Sequence, residues 1–114
     1  MIKNILNILL SLLFLILDTP AYPLDSSPKS IENYTLKISR KFANTYCNST
    51  KFGISKDGAL NFAIGETNKE FLNNKLNEFI DFELLNNNII LNLENNCQIF
   101  DFPEDELYKL TFKN

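Results

Sequence analysis

Residues 80–97 read IDFELLNNNIILNLENNC. Phe82, Leu85, Ile89, Ile90, Leu93 and Cys97 recur at helical steps and share one broad face. A second pattern competes with the first. Ile89, Leu91 and Leu93 alternate with Ile90 and Asn92, and further on Tyr108, Leu110 and Phe112 alternate with Lys109, Thr111 and Lys113. Alternation of that kind is the period of a half-buried strand. The helical spacing runs longer than either alternation, and long periodic segments are the better guide. The expected fold is therefore all-α, a small three- to four-helix domain. An α+β domain with short antiparallel strands near the C-terminus is the alternative. Leu84 and Leu91 fall off the main face of this helix, and apolar residues on two sides predict a central helix with neighbours packed around it.

Upstream, Ile31, Tyr34, Ile38, Phe42 and Tyr46 form a stripe opposite Asn33, Lys37, Arg40 and Asn44. This spacing predicts an amphipathic helix over 30–48, with Ser30 as its N-cap and Cys47 at its C-terminal end. Gly53 breaks the pattern. Ser55 then caps a second helix, and Asp57 supplies a negative charge to its first turn. Leu60, Ala63, Ile64, Thr67 and Phe71 make its buried stripe, while Phe62 points the other way. Asn73-Asn74 interrupts the chain before Leu76, Phe79 and Ile80. Beyond Cys97, Pro103 opens a short helical turn over Glu104 to Leu110, and 111–114 are expected to fray.

At the other end, Lys3 precedes an apolar run from Ile5 to Leu17, broken by Asn7 and Ser11 and closed by Asp18. That is the length of a signal-peptide core and short for a membrane span. Thr19-Pro20-Ala21 places a small residue where a signal peptidase cuts, so residues 1–21 are expected to be a cleaved signal peptide. An uncleaved anchor is the alternative. Residues 22–29, with Pro23, Pro28 and Ser26-Ser27, then form a linker, and 30–114 form the domain.

Export changes what two cysteines mean. In an oxidising compartment Cys47 and Cys97 are expected to pair in one disulfide. They lack the Cys-x-x-Cys spacing of a redox motif, and two thiolates without histidine make a poor zinc site. Such a bond would join the first helix to the third and enclose the second.

The 114 residues carry a net charge of −3 and no His or Trp. Without His, Ser-His-Asp and Cys-His catalysis are excluded, and the usual general base near neutral pH is missing. The small cluster of Lys37, Arg40 and Lys41 is not the basic patch that nucleic acid requires. Asp101, Glu104, Asp105 and Glu106 are the densest acidic group. They are weak candidates for a calcium site, lacking its regular ligand spacing, and acids at the start of a helical turn explain them equally well. Glu66 and Glu70 are a carboxylate pair four residues apart with no other sign of an acid–base site. Asn33-Tyr34-Thr35 and Asn48-Ser49-Thr50 are glycosylation sequons, relevant in a eukaryotic secretory pathway. No cofactor is implied.

Phe62, Leu84 and Leu91 lie outside the main stripes and are the candidate partner surface, since exposed apolar groups mark such surfaces. The expected function is that of an exported helical module without enzymatic activity, binding a protein or membrane complex as an accessory factor. A small metal-dependent or acid–base enzyme is one alternative. A secreted, stress-resistant protein with no specific partner is the other.

Residues 42–71, FANTYCNSTKFGISKDGALNFAIGETNKEF, resemble a pattern in small exported proteins of cyanobacteria, a group without an assigned activity. There a helix ends in Cys, a Gly and a Ser follow, and a second helix carries Ala-Leu and a later Glu. The matching positions are Cys47, Gly53, Ser55, Ala59-Leu60 and Glu66. The resemblance implies an address, the periplasm or the thylakoid lumen, and carries over no catalytic residue.

Overall fold

The computed structural model describes residues 24–113. The signal peptide expected at 1–21, residues 22 and 23 of the linker, and residue 114 lie outside them. Among the described residues, three α-helices and two 3₁₀ turns follow one another: α1 (Pro28–Lys51), α2 (Lys56–Glu70), a first 3₁₀ turn (Lys75–Phe79), α3 (Phe82–Cys97) and a second 3₁₀ turn (Glu104–Lys109). Among the described residues there is no strand, so the domain is all-α. None of the described helices is long and apolar enough to cross a membrane.

The helix α1 begins earlier than the sequence predicts. Ser27, not Ser30, is the N-cap, and its side chain accepts from the Ser30 N–H. Pro28 occupies the first turn, where its missing N–H costs nothing, so Pro28 and Lys29 belong to the helix and not to a linker. The helix also runs past residue 48 to Lys51 and closes in a Schellman turn. Ile54 N–H donates to Ser49 O and Gly53 N–H to Thr50 O, both at 3.0 Å. Gly53 sits at φ +91°, a left-handed conformation that costs other residues about 1–2 kcal/mol.

The central helix is α1, not α3. It packs against both α2 and α3, which barely touch one another. Tyr34, Ile38, Phe42 and Tyr46 are buried on it, together with the small residues Ser39 and Ala43. Ala59 and Ala63 of α2 are likewise fully buried, and seams of small side chains let helices approach closely. Leu85, Ile89 and Leu93 bury the inner face of α3, while Leu84 and Leu91 stay at its surface. A single packed face explains the helix, so its second apolar flank does not require a surrounding layer.

The disulfide Cys47–Cys97 joins the ends of α1 and α3 with Cα atoms 5.7 Å apart and encloses α2, as expected. In the chain-entropy view a closed loop of this length stabilises the fold by about 4 kcal/mol. Aromatic rings form two groups. Phe102 stands edge-on to Phe42 (5.8 Å) and Tyr46 (5.2 Å) near the disulfide-bearing half of α1. Phe71 stands edge-on to Tyr34 (5.6 Å) and to Phe112 (6.4 Å), and Phe112 stacks on Phe82 at 6.3 Å.

The C-terminal segment does not fray. Leu107, Leu110 and Phe112 are almost fully buried, and Asn68 on α2 holds the backbone that carries them. Its Oδ1 accepts from the N–H groups of Thr111 and Phe112, both at 3.0 Å, and its Nδ2 donates to Lys109 O at 2.9 Å. Phe112 O accepts in turn from Asn73 N–H at 3.1 Å. Leu110, Thr111, Phe112 and Lys113 do alternate inside and outside, but not as a strand: Phe112 sits at φ +55°, in the left-handed region, and the backbone partner of the segment is a side-chain amide.

Candidate functional site

A groove of about 710 Å³ opens where this segment passes the start of α3. That size lies within the usual range of ligand sites. Leu107, Leu110 and Phe112 form its floor, because each is a core side chain whose outer edge reaches the groove. Phe82 and Tyr108 form its sides and stay 44% and 74% exposed. Phe82 is the first residue of α3, which Asp81 caps by accepting from the N–H groups of Glu83 and Leu84. The cap fixes where the helix starts and so where the Phe82 ring stands.

The first 3₁₀ turn supplies Asn77 and Glu78. Asn77 holds that turn to the rest of the domain. Its Oδ1 accepts from the Tyr34 hydroxyl at 2.6 Å, and its Nδ2 donates to Phe71 O at 3.0 Å. Burial pushes the Tyr34 hydroxyl up to about 12, so it remains a donor at any physiological pH. Tyr46 is also pushed up, first by burial and then by the charges of Asp101 and Asp57.

Charge around the groove is one-sided. Among the described residues, Glu78, Glu104 and Asp105 stand on its border against a single ammonium, Lys113. Asn86 completes the wall. Its Oδ1 is shielded from solvent yet accepts no hydrogen bond from the described residues. An unmatched acceptor of this kind costs stability, typically about 1–3 kcal/mol.

The acidic group expected from the sequence is dispersed. Glu104 and Asp105 face the groove, Asp101 pairs with Lys56 at 3.5 Å, and Glu106 pairs with Lys109. The Glu106 hydrogen bond holds the Lys109 ammonium above its ordinary range. Among the described residues, no three His, Cys, Asp or Glu side chains converge as metal ligands would. Nor do Glu66 and Glu70 work as a pair: Glu70 bridges to Lys41 at 3.5 Å, and Glu66 lines a different hollow.

The apolar candidates Phe62, Leu84 and Leu91 are all exposed, at 51%, 42% and 55%. Phe62 joins Phe52 and Ile54 in a hollow of about 320 Å³ between the end of α1 and α2, whereas Leu84 and Leu91 lie a turn pair apart on α3. The larger groove is not visible in the sequence, because its floor comes from residues whose local pattern predicts only a short turn and a frayed end. The alternation of Tyr108, Leu110 and Phe112 was the signal that could have found it. No family model, no curated protein and no solved structure matches this chain.

Proposed function

We infer that this protein is an exported helical binding module that acts as an accessory factor for a protein partner, without chemistry of its own, and that the groove beside Phe82, Tyr108 and Phe112 is its working surface. The observation that carries this reading is the groove itself, an apolar floor of core side chains beside a segment, 109–112, that Asn68 clamps in place. The disulfide favours an oxidising compartment, and the resemblance to exported cyanobacterial proteins favours the periplasm or thylakoid lumen.

Affinity capture of the exported protein from membrane extracts tests the reading, with a Tyr108→Asp variant as the control. Tyr108 is largely exposed, so the change should leave the fold intact. A stoichiometric partner held by the natural protein and released by the variant is expected. A partner held equally by both, or repeated capture of none, contradicts it.

A further inference from the structure

The composition of the groove narrows what can fill it. We propose that its occupant is a peptide segment of a protein partner in which apolar side chains alternate with lysine or arginine; this rests on the groove being the working surface.

Three observations lead there. The floor is apolar and aromatic, which calls for aliphatic or aromatic side chains. Among the described residues the border holds three carboxylates against one ammonium, which favours a cationic occupant and disfavours an anionic one. The carboxylates are also spread, with Glu78 on the first 3₁₀ turn and Glu104 and Asp105 on the second. A small cation would need carboxylates that converge, and no three of them do so among the described residues. Charges spaced around an apolar floor match a chain whose cations are spaced around its apolar side chains.

The test is fluorescence anisotropy on the exported protein with its disulfide intact. The probes are a labelled peptide of Leu, Phe and Lys, the same peptide with Glu in place of Lys, and spermidine as competitor. Nile red, a neutral dye that brightens in apolar surroundings, reports the groove independently of charge. The Lys peptide should bind, the Glu peptide should bind at least about ten-fold more weakly, and raised salt should narrow that gap. The double variant Glu104→Lys/Asp105→Lys, at two exposed positions, should lose a similar factor for the Lys peptide while Nile red still brightens. Equal binding of the two peptides with Nile red still bright overturns the charge inference and leaves the groove standing. Displacement of the Lys peptide by spermidine at equal concentration overturns the peptide in favour of a small organic cation. Failure of every probe, Nile red included, overturns the groove as a binding surface as well.

Discussion

Asn68 holds Phe112 in place across 44 residues of sequence: the Asn68 Oδ1 accepts the Phe112 N–H at 3.0 Å, and the Phe112 ring lies buried beneath it in the core. One side-chain amide thus does for the C-terminal segment what a neighbouring strand would do in a sheet. Asn68→Ala removes three hydrogen bonds at once and should destabilise the protein by roughly 2–3 kcal/mol. Amide exchange at Thr111 and Phe112 should accelerate more than exchange in α1. Uniform acceleration throughout the domain would show that the clamp is not local.

Phe112 is 1% exposed and touches Phe71 and Phe82, so it belongs to the core and to the groove floor. Phe112→Ala should cost roughly 3–5 kcal/mol, read as a lower midpoint in urea unfolding. A change under about 1 kcal/mol would mean that the segment contributes little to the native state.

Two glycines make opposite predictions. Gly53 lies at φ +91°, where an added Cβ is strained whatever the space around it. Gly65 lies within α2 with no neighbouring atom within 4 Å of an added Cβ. Gly53→Ala should therefore lower stability by about 1–2 kcal/mol, and Gly65→Ala should raise it by about 0.4–1 kcal/mol. Thermal denaturation of the two variants checks the signs.

The buried tyrosines set an alkaline limit. Unfolded tyrosine ionises around its ordinary value of 10.0, while folded Tyr34 holds its proton until about 12. Stability from Tyr34 is therefore complete below pH 10 and is lost as pH rises from 10 towards 12, and Tyr46 acts in the same direction. The melting temperature should fall across that window, and Tyr34→Phe should flatten part of the fall while losing the hydrogen bond to Asn77. An unchanged slope in the variant would assign the limit to other groups.

Reduction of Cys47–Cys97 should lower stability by about 4 kcal/mol if the bond acts by constraining the unfolded chain. Urea unfolding with and without reductant measures it, and coincident curves would contradict a stabilising role.

Periodicity made the three helices legible. The stripe Tyr34, Ile38, Phe42, Tyr46 needs no knowledge of its partners, because a helix satisfies its own backbone and its apolar face can be read from spacing alone. Ser55 is likewise a local signal, since a cap lies a few residues from the N–H it accepts. Helix order in space was not legible: Leu84 and Leu91 suggested a central α3, and nothing local distinguishes an exposed leucine from a buried one. The groove escaped for the same reason. Its geometry depends on Asn68 reaching Lys109, Thr111 and Phe112, and on Asn77 meeting Tyr34, contacts that span 41 to 44 residues and leave no periodic trace.

The most direct test of the account is an amide chemical-shift map of the isotopically labelled protein during titration with the Leu-Phe-Lys peptide. Shifts concentrated in 77–86 and 104–113, strongest around Phe82, Asn86 and Tyr108 to Lys113, are the predicted result. Shifts concentrated instead around Phe52, Ile54 and Phe62, or along the outer side of α3 around Leu91, would contradict it.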